Sequence, residues 1–232
     1  PELRGALNIV LPGLDHREVA FHKNAFKEIY RVITGRAPAK LDIVAEDKAE
    51  LNGMIIGYDN GWYTNLPLVG AKVEVYAVDS KSGQRQGNAV RTVSTGADGT
   101  WGPLKADPKV YYEFVVKAEG YPTSRFYLTP FPRSSKYIHF RIDPLKDEQK
   151  KAGAVVVLSR PRGDIGHGRD TFLIDGKVPE GVNKGVAGTA SATKIYPQGT
   201  SKVVKVVLNK EAVSIKLSST EKGHKIVALF HY

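Results

Sequence analysis

The sequence predicts a mainly β protein: two antiparallel β-sandwich or barrel domains, preceded by a short strand, a histidine-bearing loop and one helix. Three observations carry this. From residue 46 onward, short alternating apolar segments recur roughly every ten residues, separated by turn pairs such as Asp98-Gly99 and Asp175-Gly176. A single stretch has helical spacing instead: Phe26, Ile29, Tyr30 and Ile33 fall at i, i+3, i+4 and i+7. Polar joints near residues 37–45 and 143–151 divide the 232 residues into units at 1–40, 41–145 and 146–232.

In the first unit, the apolar run Ile9-Val10-Leu11 is predicted as a strand that runs into Pro12-Gly13. Asp15 and His16 sit on the following loop. Gly35 is placed to end the helix, and Pro38 lies just beyond it. His22 stands at the helix entry as a cap or exposed group.

The second unit opens with a strand near residues 49–56. Tyr58-Asp59-Asn60-Gly61-Trp62-Tyr63 reads as a hairpin turn with aromatic packing, with Ca²⁺ binding through its oxygens as the other reading. Residues 71–77 alternate, with Ala71, Val73, Val75 and Ala77 on one face. Further strands are predicted over 88–95, 100–104, 111–118, 125–128 and 137–142. Pro103 confines the element at 100–104 to an edge or strand end. Phe131 and Arg133 lie on a loop that either packs on its own sandwich or touches a substrate or another domain.

In the third unit, strands are predicted over 154–158, 171–174, 190–196, 202–208, 213–217 and 226–230. The Gly-rich run Arg162-Gly163-Asp164-Ile165-Gly166-His167-Gly168-Arg169-Asp170 reads as a loop. Its Asp164, His167 and Asp170 match no standard metal spacing.

Composition narrows the function classes. With no cysteine, disulfides, thiolate metal sites and a cysteine nucleophile are excluded. No apolar stretch is long enough to span a bilayer, and the opening PELRGALN lacks a signal pattern. The net charge of +10 is uneven: residues 146–232 hold 15 basic and 8 acidic side chains, against 5 and 4 in residues 1–35 and 14 and 12 in residues 36–145. The lysines alternate with valines, as in KVVKVVLNK, which places them on the outer face of strands. No aromatic-rich motif accompanies them, so nucleic acid is not expected as a partner. The preferred reading is a plain solvated basic face, with peripheral contact with an anionic lipid surface as a further alternative.

Two resemblances follow from quoted residues. LPLVGAKVEVYAVDSKSG, STGADGTWG and YYEFVVKAEGY, within residues 51–121, resemble the transthyretin-like or carboxypeptidase-regulatory-like β-sandwich. That resemblance implies an accessory module. Leu11-Pro12-Gly13-Leu14-Asp15-His16 and the helix after it resemble the terminal segment of α/β-hydrolase lipases and esterases. There, the loop presents the base of the catalytic triad and the helix packs on the hydrolase sheet. The whole layout resembles lipases whose hydrolase domain runs into C-terminal β-domains.

That resemblance makes His16 the catalytic base, residues 1–40 the end of an α/β-hydrolase domain, and the rest accessory β-structure. It implies an N-terminal α/β-hydrolase polypeptide as partner, a lipid or ester substrate, no cofactor or metal, and a secreted or periplasmic setting. The family's Gly-x-Ser-x-Gly elbow is absent from this sequence, and Ser82, Ser134 and Ser135 do not fit it. Asp15 is poorly placed to act as the acid for its neighbour and is expected on the surface or as a cap. The alternative is a non-catalytic β-sandwich module that binds carbohydrate, a surface or a partner protein.

Overall fold

A computed structural model describes residues 2–184 and 188–231. Strand accounts for 37% of the chain and helix for 8%, and none of the sheets closes, so the fold is layered rather than a barrel. The first unit carries a 3-10 turn (Glu18–Ala20) and helix α1 (Lys23–Thr34). The second unit carries β1 (Ala49–Leu51), β2 (Ile55–Asp59), β3 (Trp62–Pro67), β4 (Lys72–Val78), β5 (Arg91–Ser94), β6 (Leu104–Ala106), β7 (Tyr111–Lys117), β8 (Ser124–Leu128) and β9 (Phe140–Arg141). After a short helix α2 (Asp147–Lys150) come β10 (Ala154–Ser159), β11 (Phe172–Ile174), β12 (Ser191–Tyr196), β13 (Lys202–Leu208), β14 (Glu211–Leu217) and β15 (His224–Leu229).

The organising element is a seven-stranded sheet of order β12-β10-β15-β8-β7-β4-β5. β15 lies parallel to both β10 and β8, in a register running from Lys225 opposite Ser124 to Leu229 opposite Leu128. The sheet therefore passes without a break from strands of residues 41–145 into strands of residues 146–232. One face is covered by the sheets β3-β2-β9 and β1-β6, the other by β11-β13-β14.

Period-two alternation sends Val155, Val157, Val227, Leu229, Phe126 and Leu128 into the first core. Val156, Leu158, Ile226, Ala228 and Tyr127 enter the second. A strand buried on both faces reads as a continuous apolar run, which is why β10 is Ala-Val-Val-Val-Leu rather than alternating. On β13, by contrast, Val204, Val206 and Leu208 are buried while Lys202 and Lys205 are exposed, as the lysine–valine pattern predicts.

The first core is aromatic. Trp101 meets Phe114 edge-on at 5.0 Å, and Phe140 packs 4.8 Å from Phe114 and 4.6 Å from Phe126. The buried Trp101 indole N–H donates to the Ile138 carbonyl at 3.0 Å. Phe131 is buried in this core, and the loop that carries it packs on its own sheet. Asn60 and Gly61, both at positive φ (48° and 85°), close the β2–β3 hairpin, and Tyr58 meets Tyr63 edge-on across it.

Helix α1 forms as its spacing predicts. The His22 ring accepts the Asn24 amide at 3.2 Å as N-cap, and Gly35 at φ 70° terminates the helix. The strand predicted at Ile9-Val10-Leu11 does not form, and Val10 is 79% exposed. A strand needs a neighbour to take its backbone hydrogen bonds, and among the described residues none pairs with this run. The helix face predicted to be apolar is likewise uncovered. Phe26, Ile29 and Ile33 are exposed, and among the described residues of α1 Ala25 alone is buried. Among the described residues no helix is long and apolar enough to cross a membrane.

Candidate functional site

His16 stands between Gly13, whose positive φ turns the chain, and the 3-10 turn. Asp15 builds this corner. Its Oδ1 accepts the amides of Arg17 (2.9 Å) and Glu18 (2.8 Å), while the Asp15 amide donates to Glu18 Oε2 at 3.0 Å. This is a reciprocal cap of the kind that an acid three residues on supplies, and it is the capping role expected for Asp15. Burial raises the Asp15 carboxyl, but the amides of Glu18, Asp164 and Arg17 and the Arg169 side chain outweigh it, holding the group at about 2.

The corner is fastened to the Gly-rich loop of residues 160–170. Asp15 Oδ2 accepts the Asp164 amide at 2.8 Å and Arg169 Nη1 at 3.1 Å. Arg160 Nη2 donates to Glu18 Oε1, and Arg160 Nη1 donates to the Asp164 carbonyl at 2.8 Å. Arg169 Nη2 donates to the same carbonyl. Gly163 permits the approach: a Cβ there would lie 2.8 Å from Arg160 Nε and 3.1 Å from Glu18 Cγ.

The Asp164 carboxylate is buried. Its Oδ2 lies 3.2 Å from His16 Nδ1 and its Oδ1 3.2 Å from Arg17 Nε. The His16 side chain is 76% exposed, so the ring meets the carboxylate with one edge and solvent with the other.

Asp15, His16 and Asp164 bring one ligand atom each within 4.8 Å of one another. Arg17 and Arg169 share the same carboxylates, and backbone amides occupy Asp15, so cationic side chains already fill the role a metal ion would have. Asp164, His167 and Asp170 do not converge. His167 Nε2 lies 3.0 Å from the Val182 carbonyl, and Asp170 accepts from the Gly166 amide, Asn209 and Arg169.

The remaining sequence candidates have structural partners. His139 Nδ1 accepts the Met54 amide at 3.1 Å, and Ser82 and Ser134 donate to Asp79 and Glu46.

A second polar cluster, which the sequence did not reveal, lies between the central sheet and β14. Buried Arg125 on β8 donates to Glu113 on β7, to Glu221 and to the Tyr127 hydroxyl, and Arg85 reaches Glu113 at 2.6 Å. Burial raises the Glu113 carboxyl, but Arg125 and Arg85 overcome it and the net shift is downward. At Glu221 burial prevails and the shift is upward.

Residues 47–145 match the family described as the lipase C-terminal domain. Comparison with curated proteins finds no match. Among solved structures, the minor pilin GBS52 of Streptococcus agalactiae is 16% identical, covers 44% of this chain and 47% of its own, and superposes with a TM-score of 0.29. Catechol 1,2-dioxygenase of Acinetobacter radioresistens is 16% identical over 44% of this chain and 52% of its own, with a TM-score of 0.26. A fimbrial protein of Bacteroides ovatus is 11% identical over 82% of this chain and 50% of its own, with a TM-score of 0.24. The chain thus spans about half the length of each of these structures. The family match likens the second unit to a lipase-associated β-domain.

Proposed function

We propose that this chain is the C-terminal part of a serine ester hydrolase, a lipase or carboxylesterase, in which His16 is the catalytic base and residues 41–232 are accessory β-structure. The observation that carries the reading is the lipase C-terminal domain match at residues 47–145, directly after an Asp-His loop and an amphipathic helix. The uncovered face of α1 supports it. Phe26, Ile29 and Ile33 form an apolar stripe suited to the sheet of an α/β-hydrolase polypeptide, which would supply the serine, its elbow and the oxyanion hole.

In the intact enzyme the serine attacks the ester carbonyl while His16 Nε2 takes its proton. His16 then returns the proton to the leaving alcohol. The acyl-enzyme is hydrolysed by water that the same nitrogen activates.

The test is hydrolysis of p-nitrophenyl esters by this chain alone, by the chain joined to its upstream sequence, and by the joined form carrying His16→Ala. Activity in the joined form alone, abolished by the substitution without loss of folding, is the expected result. Turnover retained by His16→Ala would overturn the assignment. Inactivity of both wild-type forms would favour a non-catalytic binding module.

A further inference from the structure

We propose that the cleft between the central sheet and β14 binds a small dianion of the phosphate-monoester class, held by Arg85, Lys117 and Lys216 over a floor of paired charges. The site is independent of the ester-hydrolase reading.

Register builds the cleft. Cross-strand partners share a face, so Glu74, Val115 and Arg125 form one row across β4, β7 and β8. Lys72 and Lys117 stand opposite each other in the next row of the same face. Further along that face the second core closes over Tyr127. At Arg125 the covering layer ends, and an open cleft of about 480 Å³ remains. Gly83 brings the loop that carries Arg85 against the strand that carries Lys216. Its φ is 66°, and a Cβ there would lie 2.4 Å from the Ser214 carbonyl oxygen and 2.8 Å from the Lys216 amide.

The floor is closed. Arg125 is 8% exposed, and its guanidinium is spent on Glu113, Glu221, the Tyr127 hydroxyl and the Lys216 carbonyl. The rim is open. Arg85 gives Nε to Glu113 and lies 3.8 Å over the Tyr76 ring, which fixes its plane. Among the described residues its two Nη groups have no hydrogen-bond partner, and neither has the Lys216 ammonium. Lys117 shares the one carboxylate of Glu74 with Lys72, at 3.3 and 2.8 Å. Like charges directly opposite each other across strands are destabilising, and one carboxylate between two ammonium groups leaves a positive charge over.

Floor and rim together hold five cationic side chains against three carboxylates, Glu74, Glu113 and Glu221, an excess of two. Each carboxylate is already paired. His224, which also lines the cleft, senses this field: burial lowers its pKa, and Arg125 and Lys117 lower it further. A planar guanidinium with both Nη groups free takes two oxygens of an anion side by side, while the lysines act as point charges. A phosphate monoester brings three acceptor oxygens and about two negative charges above its second pKa of about 6. It therefore matches both the donors and the excess charge, whereas a monocarboxylate supplies half of that charge.

The test is titration of the ¹⁵N-labelled full chain with inorganic phosphate, at a pH where it is a dianion, with ionic strength held constant by chloride. The expected result is saturable amide shifts at Arg85, Lys117, Lys216 and Ser218, with none in the β1–β6 sheet. Arg85→Gln and Lys216→Gln should each weaken the apparent Kd by about 3- to 10-fold, between the effects of an exposed and a desolvated charged pair. Both side chains are partly exposed, so both variants are expected to fold. Methyl phosphate should bind as inorganic phosphate does, and acetate more weakly. Shifts that fail to saturate, or that chloride alone reproduces, would overturn the proposal on the wild-type chain. Equal affinity in the two folded variants would also overturn it, and acetate binding as tightly as phosphate would overturn the dianion assignment. With phosphate seen in the cleft, sedimentation with phosphatidic acid vesicles distinguishes the sources of such a group. Sedimentation that phosphate reverses, and that the double substitution abolishes, would make the ligand a lipid headgroup. A chain left in the supernatant would make it a soluble ester.

Discussion

Gly163→Ala isolates the fastening of the histidine corner from the rest of the fold. Gly163 has no positive φ, so alanine fits its backbone, and the damage comes from the new methyl alone. That methyl would lie 2.8 Å from Arg160 Nε and 2.9 Å from Cζ. Arg160 has little freedom to retreat, because one of its Nη atoms serves the Asp164 carbonyl and the other Glu18. Arg160 and Glu18 are each 15% exposed, so their contact is a largely desolvated charged hydrogen bond, worth about 1.5–3 kcal/mol. Removing glycine freedom from the unfolded chain returns about 0.4–1 kcal/mol. The net loss is about 1–2 kcal/mol, confined to one corner. Because the amides of Ala20, Phe21 and His22 bond to carbonyls of Arg17 and Glu18, their opening should ease by about that amount. Native-state hydrogen exchange of these amides should then quicken about 5- to 30-fold. Amides of β10 should not change, and Gly96→Ala, whose nearest contact is 3.7 Å away, should leave both regions alone. Unchanged exchange at residues 20–22, or equal acceleration in β10, would refute the account of the corner as a locally fastened element.

Two further outcomes concern the β-structure. Glu113→Gln should cost about 3–5 kcal/mol by denaturant titration, because it leaves the buried Arg125 short of counter-charge. Arg85→Gln, at a side chain 41% exposed, should cost under about 1 kcal/mol, and equal losses would refute the burial argument. His231 is pushed down to about 4 by burial, with Arg162 adding to the shift. A base whose folded pKa is depressed stabilises the fold fully above its unfolded value near 6.5, and that contribution is lost as pH falls toward 4. His231→Gln should therefore reduce the stability lost between pH 7 and pH 4 by up to about 3 kcal/mol, and an unchanged pH slope would refute it.

What could be read from the sequence depended on the range of the interaction. Strands β4 and β13 were legible because one-sided burial imposes a period of two on adjacent residues, and β10 because burial on both faces makes it a continuous apolar run. Helix α1 and its glycine stop were legible for the same local reason, as was the capping role of Asp15. The pairing of β8 with β15 leaves no trace in either strand, since any apolar strand would suit that edge. The continuous central sheet was therefore invisible. Asp164 was noticed only as a member of a Gly-rich loop, because its contact with His16 depends on a fold that brings residues 15–18 onto residues 160–170. The Ile9-Val10-Leu11 run shows the converse error: its local pattern suits a strand, but among the described residues no strand pairs with it.

The first unit is anchored and unsatisfied at once, and the two properties belong to different faces. Its corner spends Asp15, His16, Arg17 and Glu18 on the loop of residues 160–170. Such contacts are directional: they fix an angle and a register, and salt weakens them where they reach solvent. Its helix offers Phe26, Ile29 and Ile33, each worth about 1.5–3 kcal/mol when fully buried, and apolar burial is non-directional. Under the hydrolase reading, adhesion to the catalytic body comes from the helix, while orientation of the β-structure comes from the polar corner. Because His16 lies in that corner, a shift of the third unit against the first would move the base, whereas a loosened helix would chiefly weaken association. The two kinds of damage are thus separable: substitutions at residues 160–170 should act through turnover, and substitutions on the α1 face through assembly.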